Sequence, residues 1–219
     1  MELKNKKINF LGDSITEGVG SSDREKTSYI RVFEALSGAV CRNYGIGGTQ
    51  IAYQTQIPQG KEHYADTFCR RVEKMDADAD IIVIFGGTND YGHGDAPLGS
   101  FSDRTDATFY GALHTLYSSV IEKYPAATVV VLTPLHREGE ENPMPYLRDF
   151  PTAALKGYVE AIREVAEHYA LPVLDLYSTS GICPDLPVSK ALYTTDGLHP
   201  NDLGHARIAN RLYNFLKNL

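Results

Sequence analysis

Three polar side chains at opposite ends of this sequence could together do nucleophilic chemistry. Ser14 lies in Gly12-Asp13-Ser14, and Asp196 and His199 stand three residues apart near the other end. A serine hydroxyl is a poor nucleophile until a base removes its proton, and histidine is the usual base because its pKa is close to the working pH. A carboxylate bound to the second imidazole nitrogen keeps that base in the required tautomer. The pattern therefore predicts a triad of nucleophile Ser14, base His199 and orienting carboxylate Asp196.

Two glycine-rich blocks offer hydrogen-bond donors for the negative charge that forms when a serine attacks an ester. Gly48 closes a glycine-rich run that begins at residue 45, and Asn89 follows Gly86-Gly87-Thr88. The predicted oxyanion donors are the backbone N–H groups of Ser14 and Gly48 and the side-chain amide of Asn89. Removing one such donor from a tested enzyme raises the barrier by about 2.7–4 kcal/mol.

Each block by itself has an ordinary structural explanation. Gly12-Asp13-Ser14 alone is a common strand-to-helix turn, and Asn89-Asp90 and Asp196-Gly197 alone are common loop or turn pairs. Their joint occurrence at strand ends favours catalysis. Asp13 and Asp90 are predicted to accept hydrogen bonds that hold the loops, behind the residues that react.

The blocks follow short apolar runs that alternate with helical periodicity. The predicted strands are Ile8–Leu11, Val40–Tyr44, Ile81–Phe85, Val129–Leu132 and Val173–Leu176. The predicted helices contain Tyr29–Leu36, Tyr110–Ile121, Leu155–Val165 and Ile208–Leu216. Strands that are apolar on both faces and alternate with amphipathic helices indicate an α/β fold, a three-layer α/β/α sandwich with a mostly parallel five-stranded sheet. We expect residues 1–219 to form a single domain, with ligands beyond the carboxyl ends of the strands.

Composition excludes several classes of partner. Of the 219 residues, 28 are acidic and 21 basic, a net charge of −7, and no basic cluster suits nucleic acid. No apolar run approaches the roughly 18 residues of a membrane span. Cleaving a leader of about 15–30 residues would remove or isolate Ser14, so no signal peptide is expected. The cysteines, which lack CxxC spacing, are expected to be reduced thiols, as in a cytoplasmic protein; they are Cys41, Cys69 and Cys183.

The four blocks, taken in order, resemble the SGNH hydrolase superfamily, also called the GDSL esterase/lipase family. The resemblance covers about the whole chain and implies a flavodoxin-like SGNH hydrolase fold, the triad and oxyanion roles given above, and no metal or cofactor. The sequence departs from many relatives at Thr49-Gln50, where they carry Asp-Thr. The Gly-x-Ser-x-Gly elbow of α/β-hydrolases is absent, because Ile15-Thr16 follows the serine.

Two long stretches, residues 91–106 and 136–151, are predicted to be irregular and to fold over the site. The residues there that could contact substrate are Tyr91, His93, His136 and Arg137. Phe101, Tyr146 and Phe150 could frame a shallow pocket, or could pack only on each other. Because the stretches are rich in charged residues and glycine, they favour a small acyl group over a long lipid chain.

The remaining histidines are given structural or surface roles. His205 and His114 fall on apolar helix faces and are predicted to be structural, whereas His63 and His168 are predicted to be exposed. A zinc site from His136 and Glu140 would need a helix between them, which the nearby glycine and proline disfavour.

The leading functional hypothesis is a carboxylic-ester hydrolase that removes a short acyl group, such as acetyl from a sugar, through an acyl-Ser14 intermediate. The expected partner is a small-molecule ester, and the oligomeric state stays open. One alternative is a lysophospholipase or thioesterase of the same fold. Another is a non-catalytic protein that binds a glycan or a protein partner, which would have no need of both a triad and oxyanion donors.

Overall fold

A sheet of parallel strands forms the centre of the molecule. The computed structural model describes residues 1–141 and 153–219, and in these the strands are β1 (Lys7–Gly12), β2 (Val40–Gly45), β3 (Ile81–Phe85), β4 (Thr128–Leu132) and β5 (Val173–Leu174). They lie in the order β2-β1-β3-β4-β5, and every neighbouring pair is parallel. The central strand β3 is buried at every position, whereas the edge strand β2 exposes Val40. The predicted five-stranded parallel sheet is confirmed.

Helices cover both faces of the sheet. They are α1 (Ser14–Glu17), α2 (Tyr29–Ser37), α3 (Phe68–Arg71), α4 (Thr88–His93), α5 (Phe109–Lys123), α6 (Leu155–His168), α7 (Leu176–Thr179), α8 (Pro187–Tyr193) and α9 (Asp202–Lys217), with 3₁₀ turns at Glu62–Ala65 and Val72–Lys74. Successive side chains of a strand point to opposite faces. Ile82 and Ile84 accordingly join the core under α5 and α6, while Ile81 and Val83 join the core under α2 and α9. This is the predicted three-layer sandwich.

The fifth strand is shorter than the sequence indicated. It was expected to reach Leu176, but it ends at Leu174 and α7 begins at Leu176. The cause is Asp175, whose carboxylate accepts hydrogen bonds from the backbone N–H of Ser178 at 3.2 Å and from the Thr133 hydroxyl at 2.9 Å. A side chain that caps a helix start overrides the apolar run in which it lies.

The first of the two long stretches is not irregular throughout. Residues 88–93 form α4, so Asn89-Asp90 and Tyr91 lie on a short helix rather than on a loop. A helix of this length shows no apolar periodicity, and Gly92 within it disguises it further. Part of the second stretch, with Tyr146 and Phe150, lies outside the described residues.

The sequence predicts no membrane span and reduced cysteine thiols. Across residues 1–141 and 153–219, no helix combines the length and apolar character that crossing a membrane requires. The three cysteines carry free thiols.

Candidate active site

The site lies where three strand ends meet. Ser14 begins α1 directly after β1, Gly48 lies in the loop after β2, and Asn89 lies in α4 after β3. In the strand order β2-β1-β3, the chain winds outward in both directions from the β1–β3 pair, and such switch points leave a crevice at the carboxyl edge. The topology therefore brings together residues that are far apart in sequence.

Ser14 is positioned by the short helix that it begins. Asp13 caps this helix, because its side chain accepts a hydrogen bond of 3.0 Å from the backbone N–H of Ile15. The Ser14 side chain has little solvent exposure, and its Oγ lies 3.0 Å from Nε2 of His199. This distance is suited to transfer of the hydroxyl proton to the imidazole.

A carboxylate fixes the other side of the imidazole. Asp196 Oδ2 lies 2.7 Å from His199 Nδ1, and Asp196 Oδ1 accepts the backbone N–H groups of Leu198 at 2.9 Å and His199 at 2.7 Å. Burial acts to raise the pKa of Asp196, but these hydrogen bonds outweigh it and hold the pKa below its usual range. Ionised Asp196 keeps the imidazole proton on Nδ1, so that Nε2 can accept the proton of Ser14.

Hydrogen-bond donors face the same cavity as the serine. A cavity of about 270 Å³ is lined by the candidate nucleophile and base together with both candidate donor residues, Gly48 and Asn89. The side-chain amide of Asn89 donates one hydrogen to the Thr49 carbonyl at 3.0 Å, which fixes its orientation and leaves a second hydrogen for a ligand. The arrangement can activate a serine and bind the oxyanion that its attack creates.

Comparison with known proteins identifies the family. A family model described as GDSL-like Lipase/Acylhydrolase matches residues 10–207. The chain belongs to the GDSL-like lipase/acylhydrolase family. It is a carboxylic ester hydrolase. Comparison with curated protein sequences finds no match.

Solved structures of similar proteins support the same fold. A protein from Lactobacillus plantarum is 30% identical, with 99% of this chain and 98% of that chain covered and a TM-score of 0.84. The lipase/acylhydrolase from Enterococcus faecalis is 23% identical, with 97% and 96% covered and a TM-score of 0.66. A two-domain esterase active on acetylated mannans is 23% identical, with 99% of this chain and 49% of that chain covered and a TM-score of 0.62. The last two likenesses show the fold alone.

Gly48 of this hydrolase occupies a position that excludes a side chain. Its φ is +76°, in the left-handed region that favours glycine. A Cβ at this position would lie 2.2 Å from Cε1 of Tyr64, far inside van der Waals contact. Glycine here lets the tyrosine ring pack directly against the loop that lines the cavity. No motif surrounds Tyr64 in the sequence, so nothing in the residues beside it signals its position at the cavity.

Two carboxylates hold the loop that carries Gly48. Asp90 accepts hydrogen bonds of 2.9–3.1 Å from the backbone N–H groups of Ile51 and Ala52, just beyond that loop. Glu17, at the end of α1, accepts the backbone N–H of Gly47 at 2.7 Å. The loop is therefore tied on one side to the helix that carries Asn89 and on the other to the helix that begins with Ser14.

A buried arginine that the sequence analysis did not single out joins the strand ends beneath the site. The Arg71 guanidinium donates to the carbonyls of Gly12 and Tyr44, the first at 3.0 Å, and to the Thr49 hydroxyl at 2.9 Å. Burial lowers its pKa to about 10. Arg71 thus links the ends of β1 and β2 to the loop that carries Gly48. Nothing in the sequence around it signals this role, because its partners are backbone atoms distant in the chain.

Asp13 is the most strongly perturbed carboxyl group near the reacting atoms. It is almost fully buried, and burial raises its pKa to about 6 despite the Ile15 hydrogen bond and the nearby charges of His199 and Arg71. Its carboxylate was expected to hold a loop, and in the structure it caps α1.

The four residues expected to contact substrate occupy different places. His93 and Arg137 line the cavity. Tyr91 does not, because its ring is completely buried and its hydroxyl donates to the Gly139 carbonyl at 2.9 Å. His136 does not line the cavity either, because its Nδ1 is bound at 2.5 Å to Oε1 of Glu140.

The pair formed by His136 and Glu140 is a hydrogen-bonded cluster. Glu140 also accepts the Tyr177 hydroxyl at 2.9 Å and the backbone N–H of Arg137 at 2.7 Å, and its hydrogen bond raises the pKa of His136. Among residues 1–141 and 153–219 no group of three or more His, Cys, Asp or Glu side chains is arranged to hold a metal ion.

Two further histidines have the structural surroundings that their helix faces suggested. His205 is fully buried; its Nδ1 accepts the backbone N–H of Tyr29, its Nε2 donates to the Val19 carbonyl, and burial lowers its pKa to about 4. Because Val19 follows α1, this neutral histidine ties the segment that begins with Ser14 to α9. His114 is also buried, with its Nε2 at 3.0 Å from the Phe101 carbonyl.

Proposed function

We propose that this hydrolase removes short acyl groups, acetyl above all, from carbohydrate esters through a covalent acyl-Ser14 intermediate. The observation that carries the proposal is the hydrogen-bonded chain Ser14–His199–Asp196, which opens onto the same small cavity as Gly48 and Asn89. This combination supplies a nucleophile, a base, an orienting carboxylate and oxyanion donors in one place.

The reaction proceeds in two halves. Ser14 Oγ attacks the ester carbonyl carbon while its proton passes to Nε2 of His199, and the carbonyl oxygen becomes an oxyanion held by the donors of Ser14, Gly48 and Asn89. Collapse of the tetrahedral intermediate breaks the bond to the alcohol, which takes the proton from His199. A water molecule then attacks the acyl-serine with His199 again as base, which releases the carboxylic acid and restores Ser14.

The size and lining of the cavity support a short acyl group. Its volume of about 270 Å³ lies at the low end for ligand pockets and must hold the acyl group and part of the alcohol. The wall includes Asn89, His93 and Arg137, so a long alkyl chain would leave polar groups without partners.

Two features support a carbohydrate as the alcohol. The rings of Tyr64 and His93 stack with centroids 5.0 Å apart at the cavity wall, and flat rings beside hydrogen-bonding groups suit a sugar, which has both apolar faces and hydroxyls. The two-domain esterase that shares the fold acts on acetylated mannans, which makes acetylated mannan the first polymer to test.

The test compares the parent protein with Ser14→Ala on p-nitrophenyl acetate, butyrate and octanoate at equal enzyme concentration, with urea unfolding to check that the variant folds. We expect rates that fall with chain length and a loss of about three orders of magnitude or more on substitution. Release of acetate from acetylated mannan by the parent, but not by Ser14→Ala, then tests the carbohydrate part.

Other outcomes point to specific alternatives. A rate that rises towards octanoate would indicate a lysophospholipase or thioesterase in place of an acetylesterase. A folded Ser14→Ala protein that keeps the parent's rate would refute the assignment of Ser14. A parent that binds mannan without hydrolysing any of the esters would indicate a binding protein.

A further inference from the structure

We propose that Arg137 selects esters that carry an anionic group, a carboxylate or a phosphate, on the part of the substrate near the scissile bond. The proposal rests on the esterase function proposed above and names the substrate class of that site. It assigns Arg137 the role of a specificity-determining residue that contacts the substrate.

Among the described residues, the guanidinium of Arg137 has no carboxylate counter-ion. It lines the cavity that contains Ser14, and its Nη1 donates to the carbonyl and hydroxyl of Thr88, both at 3.3 Å. Within the part of the chain that the structure describes, no carboxylate forms an ion pair with it, and neither Nε nor Nη2 has an acceptor. An arginine stays charged at neutral pH, so donors and charge remain for a ligand.

The carboxylates nearest to Arg137 are committed to other groups. Asp196 binds the imidazole and two backbone N–H groups, and Asp13 caps α1. Glu140 accepts three hydrogen bonds, one of them from the backbone N–H of Arg137 itself. Moving any of these to neutralise the guanidinium would break hydrogen bonds that it already makes, and a buried donor left unpaired costs about 1–3 kcal/mol.

The arginine is also held in place before a ligand arrives. Its guanidinium carbon lies 5.4 Å from the centroid of the buried Tyr91 ring, which packs against the charged group. Gly92 provides the space for it, because a Cβ there would lie 2.8 Å from Nη1. A side chain fixed in this way loses little conformational freedom on binding, and its planar fork suits carboxylate and phosphate oxygens.

The position beside Thr88 allows a second role to be tested against the first. Thr88 directly precedes Asn89, so the charge could instead act on the oxyanion of every ester. Binding of a substrate anion raises kcat/KM only for esters that carry the anion, whereas an effect on the oxyanion changes kcat for neutral and anionic esters alike. Matched pairs of substrates separate the two roles.

The experiment measures kcat and KM for 3- and 4-acetoxybenzoate and for their methyl esters, which lack the charge, with 4-acetoxyphenyl phosphate as the phosphate counterpart. The variants are Arg137→Gln, Arg137→Lys and, as a control for the loss of one positive charge, Arg211→Gln on the exposed side of α9. Comparing each variant with the parent on the same substrate cancels differences in the reactivity of the esters themselves.

We expect Arg137→Gln to lower kcat/KM for the anionic esters by about ten- to a hundredfold more than for the neutral esters. Arg137→Lys should keep part of the preference because it keeps the charge but not the fork, and Arg211→Gln should change neither class. A greater loss on the phosphate than on the carboxylates, or the reverse, identifies the preferred anion.

Two results would overturn the proposal. An equal loss on neutral and anionic esters would assign Arg137 to the oxyanion, and an unchanged ratio with unchanged rates would give it no part in substrate selection. Both are distinct from failure of the esterase function itself, which is measured by hydrolysis of the neutral esters by the parent and by Ser14→Ala.

Discussion

Substitution of Gly48 by alanine should destabilise the fold in two ways, through the backbone conformation and through a steric clash. Its φ of +76° places an alanine in the left-handed region, at about 1–2 kcal/mol. The new Cβ would also lie 2.2 Å from Cε1 of Tyr64, so ring and loop must move apart by about 1 Å, and such overpacking costs about 1–3 kcal/mol. We therefore expect Gly48→Ala to lower the free energy of unfolding by about 2–5 kcal/mol.

The chain offers a matched control in Gly60. Its φ is +77°, almost the same as that of Gly48, but a Cβ there would meet nothing within 4 Å. Gly60→Ala should therefore show only the backbone cost of about 1–2 kcal/mol, and no change in activity. Combining Gly48→Ala with Tyr64→Ala should recover the overpacking part, and the single Tyr64→Ala variant completes the cycle.

The substitution of Gly48 should also lower the activity. A displacement of about 1 Å would carry the Gly48 N–H out of hydrogen-bond range of the oxyanion, and loss of one donor lowers kcat by about 10²–10³-fold. The measurements are urea unfolding followed by circular dichroism and kcat on p-nitrophenyl acetate. A Gly48→Ala protein that is destabilised but keeps kcat within about twofold would refute the role of Gly48 as a donor. Equal stability losses at the two glycines would refute the argument from the Tyr64 contact.

Further predictions concern the groups around the reacting atoms. Asp196→Asn should lower kcat by about 10³–10⁴-fold with little change in KM, because an amide can stabilise the wrong tautomer of His199; an unchanged kcat would contradict this. Arg71→Leu should lower the free energy of unfolding by about 2–4 kcal/mol by leaving buried acceptors unpaired, as urea titration can check. The pKa of His205 falls to about 4 in the folded protein, so the unfolded protein takes up this proton first as pH falls. The stabilising contribution of neutral His205 is therefore complete above pH 6.5 and lost towards pH 4. The loss of stability caused by His205→Gln should shrink as pH falls from 6.5 to 4. Burial raises the pKa of Asp13 to about 6, so ionisation of this carboxyl favours the unfolded state as pH rises from about 4 to 6. Asp13→Asn keeps a capping acceptor but does not ionise, so this variant should gain stability relative to the parent over that range. A parallel pH dependence of the two proteins would contradict this.

The sequence predicted the central architecture because local patterns encode it. The short continuous apolar run Ile81–Phe85 is typical of a strand buried on both faces, and the helical spacing within Leu155–Val165 indicates a helix with one apolar side. Shorter elements escaped for the same reason: α4 spans less than two turns, and at Asp175 a single capping side chain ended a strand early. Local sequence patterns fail to predict an element's bounds where a single tertiary contact outweighs the local preference.

The residue types of the site were readable from the sequence, and the distances between them were not. Ser14, Asp196 and His199 can be recognised by their residue types, by the position of Ser14 after a strand and by the three-residue spacing of the other two. Few other combinations can activate a serine. Their approach to 3.0 Å and 2.7 Å depends on the strand order β2-β1-β3 and on the loop before α9. The sequence specifies which side chains are present, but the packing of the sheet brings particular side chains into contact.

The tertiary structure alone revealed Tyr64 and Arg71 at the site, and it showed how Arg137, which the sequence had offered as a substrate contact, is placed there. Tyr64 packs against Gly48, Arg71 links the strand ends, and Arg137 lies in the cavity above the buried ring of Tyr91. Each acts through partners that are distant in the chain, and for Arg71 these are mainly backbone carbonyls, which every residue possesses. The sequence by itself indicated the candidate reacting groups and the sheet, because both can be recognised from the residue types within short segments. Only packing decided which tyrosine forms the wall, which arginine binds buried backbone carbonyls and which arginine lines the cavity.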